Sequence, residues 1–490
     1  MRTASSPPAP NTRMKIDNPE EKARRRIRQL IWLYFWLLLI EGALRKWVVP
    51  QLSNPLLLVR DPVVFAIYLY SLRAGVFPRN GWLIVLASIA ALTLIATFVQ
   101  LLPYIPPKTI ALVAAYGFHA NYLHLPLIFV MASVLRPEDL KKIGWWTLVL
   151  LVPMSILMVA QFRAAPDAFL NRTAGGEGEM ITTAMGKVRT AGPFSFVVGI
   201  MAYFSLATAY LVWGVLKEGV FRNWLLMAAA IALVIGIVVS GSRSVVGACA
   251  LVMASLLIAL ILRPDTLNRF GQVIVAVVVL GFIVSQTPIF KEGLLVMTTR
   301  FNEAAEATEQ TVGASLITRL IAGFQEPLFI LGKGIAPPLG FGLGIGTNAG
   351  AKMLTHQAGF LLTEDEWARI FLESGPILGV AYVLWRCFLA FRIGWLCVKS
   401  ILLGNLLPIL LFSSAFLSMI SGQFGQPTIL GFVVFVTGLA LAALNLEGQT
   451  KSSPRDRQRT IAPVRGRSPY AAGLHGPDTR PPQDNGTVDR

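Results

Sequence analysis

Charge is what this sequence has least of. Only 14% of its 490 residues are Asp, Glu, Lys or Arg, whereas an ordinary soluble domain carries about 25%. A water-facing surface over a chain of this length is thereby excluded. Cysteine is scarce as well: Cys249, Cys387 and Cys397 are the only three. Each stands inside or at the edge of an apolar run, which argues against a disulfide framework and a thiolate metal cluster. Histidine is limited to four residues, and no two of them stand with carboxylates at metal-ligand spacing. No metal centre and no cofactor are expected. Acidic residues are the minority charge, 26 against 43 basic ones, but the placement of the excess argues against nucleic acid. Much of it lies at Arg24, Arg25, Arg26 and Arg28 and again at Lys451, Arg455, Arg457, Arg459, Arg465 and Arg467. Basic flanks beside apolar segments hold those ends in the cytoplasm and contact anionic lipid.

What the chain has in plenty is apolar sequence: 54% of its residues are hydrophobic. Twelve runs long enough to cross a bilayer are read at 29–46, 58–76, 82–103, 110–134, 143–162, 193–215, 224–241, 244–262, 270–290, 368–390, 401–420 and 427–446. Glu41 interrupts the first, and no small-residue cleavage site follows it, so it reads as an uncleaved span. The second starts on Arg60 and Asp61, where an unpaired charge costs about 2.5–3.5 kcal/mol. Those two are expected at the interface or paired with each other.

Orientation follows from the loops. With the N-terminus inside, Arg73 and Arg79, Arg136 with Lys141 and Lys142, Lys217 and Arg222, Arg263 and Arg269, and Arg392 and Lys399 all fall on one side. The short loops opposite carry Lys108 or, over 421–427, no charge. Both termini are therefore expected in the cytoplasm. The domain reading is a basic tail at 1–28, nine spans over 29–290, a large exterior loop at 291–367, three spans over 368–446 and a disordered tail at 447–490. The expected fold class is thus all-α, a polytopic membrane bundle with short helices in its long loop.

Cations kept outside against this bias carry information: Arg45, Lys46, Arg60, Arg172, Lys187, Arg189 and Arg243. Each binds something anionic or sits in an ion pair. Arg243 stands in the tight turn Ser240-Gly-Ser-Arg-Ser, and its donor fork suits phosphate. Arg189 precedes Pro193, which is expected in the first turn of a helix whose N–H groups attract anions. In the long loop, Leu316, Leu320, Phe324 and Leu328 fall at helical spacing beside Arg319, as in a surface helix. The glycine run at 340–346 lacks the setting of a nucleotide loop; it reads as a flexible turn or as a backbone that closes over a substrate.

The segment Thr363-Glu-Asp-Glu-Trp-Ala-Arg-Ile-Phe-Leu-Glu373-Ser-Gly-Pro holds the densest chemistry. Thr363 is expected to cap a helix, with Glu366 completing a capping box. Glu364, Asp365 and Glu373 are not explained by capping. Arg369 and Glu373 share a face and can pair. Carboxylates beside arginines make a bipolar site, with acids to accept a proton and arginines to hold an anionic leaving group. His119 and His124, near Asn121 in the fourth span, read as hydrogen-bonded interface residues or as functional ones. His356 falls in the exterior loop.

Three of these features in order, the turn Ser240-Gly-Ser-Arg-Ser-Val-Val-Gly, the Gly-x-Gly-x-Gly run and the helix ending Glu373-Ser-Gly-Pro-Ile-Leu-Gly, together resemble the O-antigen polymerase and ligase family. Glu41-Gly-Ala-Leu-Arg-Lys-Trp-Val-Val-Pro and Leu58-Val-Arg-Asp-Pro resemble its exopolysaccharide-polymerase branch, and the likeness runs over most of 30–445. The resemblance implies a metal-independent, inverting glycosyltransferase of the bacterial inner membrane. Its donor is a sugar chain on undecaprenyl pyrophosphate at the periplasmic face, and a flippase and a chain-length regulator work beside it. Arg189, Arg243 and Arg319 are then the pyrophosphate ligands. The family's His-Asn before Glu-x-Gly reads Glu364-Asp365 here, so the base is expected among Glu364, Asp365 and Glu366, with Arg369, Glu373 and His356 as further substrate contacts. A ligase would share every motif; a lipid-linked sugar carrier is the rival class.

Overall fold

The computed structural model describes residues 19–175, 182, 184–263, 271, 281–282, 285–306, 325–357 and 359–451. Among these residues there is no strand, only one isolated antiparallel bridge between Thr182 and Val188. The helices are α1 (Pro19–Ala43), α2 (Ser53–Leu56), α3 (Asp61–Arg73), α4 (Gly81–Leu101), α5 (Pro107–Phe118), α6 (Leu127–Val134), α7 (Pro137–Arg163), α8 (Val197–Leu216), α9 (Asn223–Val239) and α10 (Arg243–Leu262). They are followed by α11 (Pro288–Glu306), α12 (Asn348–Thr355), α13 (Glu366–Leu402), α14 (Leu407–Ser421) and α15 (Pro427–Lys451).

Local chemistry sets several of the starts. Proline stands in the first turn of α3, α5, α7 and α14, where its missing N–H leaves no bond unmade. Asn80 Oδ1 accepts the Leu83 N–H at 3.0 Å and caps α4. The Asp139 carboxylate accepts the Arg136 N–H at 3.1 Å at the head of α7.

Among the described residues, eight helices are long and apolar enough to cross a membrane, and α9 and α14 are shorter apolar ones. Phe65, Leu69, Leu92, Ile95, Phe388 and Phe391 are exposed on their outer faces, which is stable only against lipid. The protein is therefore embedded in a membrane through these helices. Small residues let the helices approach closely. A Cβ on Gly144 would meet the Tyr210 ring at 2.5 Å, one on Gly236 the Phe204 ring at 2.5 Å, and one on Gly438 the Met131 sulfur at 2.7 Å.

Two expected spans read differently here. The run at 110–134 is broken: α5 ends at Phe118, a π-helical turn covers His119–Leu123, and α6 starts at Leu127. Pro126 cannot return an N–H to the carbonyl of Tyr122, and three polar side chains at the break find partners elsewhere. The run at 368–390 belongs to α13, kinked at Gly375 and helical from there to Leu402, so Arg392 and Lys399 are helical rather than in a loop. Ile393, Cys397 and Ile401 keep an apolar stripe buried over that extra length. Most of the run at 270–290, the amphipathic stretch before residue 325 and the tail after 451 lie outside the described residues. Within the expected exterior loop, α11, a helical stretch over 325–332 and α12 are present.

Hydrogen bonds sort the connections into two ends. At one, Arg24 reaches Ser133 O at 2.8 Å, Arg136 pairs with Glu21, and Asn445 Nδ2 donates to Ala132 O at 2.9 Å. At the other lie the turn after α1, the segment before α8, the α9–α10 turn, the glycine run and the start of α13. That second end holds the polar chemistry.

Candidate functional site

The break between α5 and α6 places two imidazoles on one carboxylate. His119 Nδ1 stands 2.8 Å from Asp61 Oδ2, and His124 Nε2 stands 3.0 Å from Asp61 Oδ1. Tyr34 OH lies 3.1 Å from His124 Nδ1 and accepts from Arg60 Nη1 at 3.2 Å. Arg60 Nε donates to Glu41 Oε2 at 3.2 Å, and its Nη2 to Pro427 O at 2.5 Å. Arg60 therefore pairs with Glu41, not with its neighbour Asp61 as expected, because Asp61 in the first turn of α3 points to the α5–α6 break. The nitrogen and oxygen atoms of Asp61, His119 and His124 lie within 4.8 Å of one another, the dimensions of a metal site. Sequence spacing could not disclose that, since the carboxylate stands some 60 residues upstream of the imidazoles.

The chain of contacts continues into a basic collar. Arg45 donates from Nε to Ser53 O at 2.9 Å, and from Nη1 to Ser195 Oγ at 3.2 Å and Glu41 Oε1 at 3.5 Å. Lys46 Nζ, fully buried, donates to Gly192 O at 3.2 Å. These two residues fit there because α1 closes in a π-helical turn at Leu44–Val48, turning both cations inward. Gly42 gives the 193–195 backbone room: a Cβ on it would meet Pro193 O at 2.5 Å. Thr190 Oγ1 donates to Val239 O at 3.1 Å, tying the segment to the turn that leads into Arg243. Arg300 Nη1 donates to Gly241 O at 2.7 Å in that turn, and Lys187 pairs with Glu292 at 2.7 Å. Arg189 Nε is buried and has no hydrogen-bond partner. Among the described residues, Arg45 and Lys46 thus reach the segment that carries Lys187 and Arg189, and Arg300 reaches the turn before Arg243, with Glu41 and Glu292 paired beside them.

A second buried network closes on itself. Arg369 donates to Glu373 Oε2 at 2.8 Å, to Glu366 Oε2 at 2.9 Å and to Asn121 Oδ1 at 3.0 Å. Glu366 Oε1 accepts from Arg386 Nη1 at 2.9 Å and from the Phe424 N–H at 3.2 Å. Glu373 Oε1 accepts the Gly346 N–H at 2.9 Å, which draws the glycine run onto α13. Two carboxylates meet two guanidiniums, all buried, and the charge cancels. Asn121 joins this network to the α5–α6 break, and Tyr382 OH donates to the Asn121 carbonyl at 2.6 Å.

Comparison of the sequence with known protein families and with curated proteins gives no match.

Arg189 and Arg243 share the collar, Arg243 half-buried at the first position of α10, whereas Arg319 lies outside the described residues. Pro193 stands in a turn four residues before α8 begins at Val197, so the expected helix start beside Arg189 is not formed. Glu366 is fixed by two arginines and an N–H, which leaves it unsuited to take a proton. It completes no capping box. The cap is Asp365, whose Oδ1 accepts the Ala368 N–H at 3.0 Å, while Thr363 Oγ1 donates to Glu326 at 2.7 Å. The reason is local: Thr363 is two residues too early for the first helical N–H groups. Glu364 is exposed, and its carbonyl accepts from Gln423 Nε2 at 2.8 Å. Arg369 and Glu373 are the structural pair that helical spacing allowed. His356 is exposed and ends α12 with a left-handed φ of 62°. Residues that sequence reasoning passed over are Tyr34 and Arg386; Asp61 drew notice only as a neighbour of Arg60. Glu41 and Arg60 drew notice as charges at membrane depth, but no linear signal paired them.

Proposed function

We propose that this chain is an inverting membrane glycosyltransferase that polymerises oligosaccharide repeat units carried on undecaprenyl pyrophosphate. The collar end faces the periplasm and both termini face the cytoplasm, because basic residues crowd the loops of the opposite end. The observation that carries the reading is Arg189: a guanidinium nitrogen that is buried without a hydrogen-bond partner among the described residues, in a segment that also receives the buried Arg45 and Lys46. Buried charge of one sign is retained where an anion balances it. A diphosphate on a lipid meets that need at the membrane edge, and Arg supplies a planar donor fork for it. The leaving diphosphate needs charge stabilisation rather than a proton. A hydroxyl of the second glycan attacks the anomeric carbon from the opposite face, so one displacement inverts the configuration.

The test is Arg189→Ala and Arg243→Ala in a producing cell. Transfer falls by about 100- to 1,000-fold for each, with protein levels in the membrane unchanged. Normal polymer from both variants refutes the reading. A ligase that moves the finished chain uses the same chemistry.

One observation favours a carrier as the second reading. A span interrupted at buried ionisable residues, as between α5 and α6, is common where substrates cross a membrane. Movement of an intact lipid-linked glycan across liposomes, with no new glycosidic bond, selects the carrier.

A further inference from the structure

Proton accounting around Asp61 singles out one atom. A guanidinium only donates, so the Arg60–Tyr34 bond runs from Nη1 to the phenol oxygen. Among the described residues, the other hydrogen-bond partner of that phenol oxygen is His124 Nδ1 at 3.1 Å, which takes the phenol proton. That nitrogen carries no hydrogen, so His124 holds its proton on Nε2 and donates it to Asp61 Oδ1 at 3.0 Å. An ionised carboxylate only accepts, so His119 Nδ1 also donates, to Asp61 Oδ2 at 2.8 Å. Every donor in the chain Arg60–Tyr34–His124–Asp61–His119 now has its acceptor. What remains is a lone pair on His119 Nε2, an atom that is buried and has no hydrogen-bond partner among the described residues. Its ring is only 3% exposed.

We propose that His119 Nε2 is the base that takes the proton from the attacking glycan hydroxyl. The assignment rests on the transferase reading given above and adds to it the residue that the acidic segment at 364–366 does not provide. A carboxylate on Nδ1 fixes the tautomer, aims Nε2 and stabilises the imidazolium that forms, as in other Asp–His pairs. The hydroxyl oxygen bonds to the anomeric carbon as that carbon's bond to the diphosphate breaks. The electron pair leaves on the diphosphate, and the proton moves to Nε2, making an imidazolium paired with Asp61. It returns to water when the product leaves. Asp61 is the positioning residue. His124, Tyr34 and Arg60 orient Asp61 from behind, and Glu41 connects Arg60 to Arg45 in the collar, so base and leaving-group cations belong to one connected layer. The π-helical turn that presents His119 is a distortion often found at functional sites.

The rival for the same atoms is a metal ion on Asp61, His119 and His124. A metal on His124 Nε2 would move that ring's hydrogen to Nδ1 and leave the Tyr34 hydroxyl proton without an acceptor, so the hydrogen-bond chain speaks for the base.

The experiment uses the full chain, purified into liposomes, and polyprenyl-diphosphate-linked oligosaccharides extracted from cells that lack this chain. His119→Ala and His119→Gln are compared with wild type for donor binding, kcat and KM. Both variants lose about 100- to 10,000-fold in kcat, with donor binding and melting temperature near wild type. Added imidazole restores part of the rate to His119→Ala. Asp61→Asn lowers kcat more than it raises KM and shifts the acid limb of the pH–rate profile. Turnover of His119→Ala and His119→Gln equal to wild type overturns the assignment and leaves the transferase reading intact. Stoichiometric transition metal in the purified protein, with activity lost to a chelator and regained with the ion, also overturns it. A wild-type protein that binds donor but forms no glycosidic bond sinks both.

Discussion

At the residue scale, the two buried polar groups answer to different demands. Glu366, Arg369, Glu373 and Arg386 pair completely with one another and with backbone donors, so their task is to hold α13 to the glycine run and to α14. Removing one partner of a buried pair leaves a bare charge and costs about 3–5 kcal/mol. Arg386→Met is therefore expected to lower the melting temperature sharply, which a thermal scan in detergent reads directly. Glu364→Ala, at an exposed side chain, is expected to leave both stability and transfer at wild-type values; a transfer assay in membranes checks it, and a large loss there returns the base to the acidic segment. The sequence displayed all these side chains but not their partners. Glu41, Arg60 and Asp61 stood out as charges in apolar runs, and the expected Arg60–Asp61 pair was the nearest linear guess. The real partners are distant in sequence, Glu41 19 positions before Arg60 and His119 58 positions after Asp61.

At the element scale, two helix breaks bring the layer together. One is the α5–α6 interruption. The other is Gly375 within α13, at φ 76° and ψ 169°, a region open to glycine almost alone. With that residue turned aside, the Leu372 and Glu373 carbonyls accept the Phe341 and Gly342 N–H groups at 2.7 and 3.0 Å. A Cβ on Gly375 would meet the Pro338 carbonyl oxygen at 2.3 Å. Gly375→Ala is expected to cost roughly 1–3 kcal/mol in backbone strain and to loosen the glycine run, seen as faster hydrogen exchange over 339–346. The positions of most apolar helices were legible because bilayer thickness imposes its length on sequence. The breaks were not: hydropathy counts apolar residues and is blind to a π-helical turn or to which backbone a glycine must face.

At the scale of the whole molecule, the sorting of loops into two ends agrees with the distribution of Lys and Arg. A single cysteine placed at the exposed Asn54 or Lys352, in a chain with Cys249, Cys387 and Cys397 changed to Ala, is expected to react with a membrane-impermeant maleimide from the periplasmic side. One at the exposed Lys142, at the opposite end, is expected to be shielded in the same cells. The reverse pattern inverts the orientation. The most direct measurement is turnover in a defined bilayer. Liposomes holding only this chain and polyprenyl-diphosphate-linked oligosaccharides are predicted to accumulate longer glycans together with free polyprenyl diphosphate, one released for each linkage made, and to do neither with Arg189→Ala. Oligosaccharides that stay at their starting length, with wild-type protein folded in the bilayer, contradict the account.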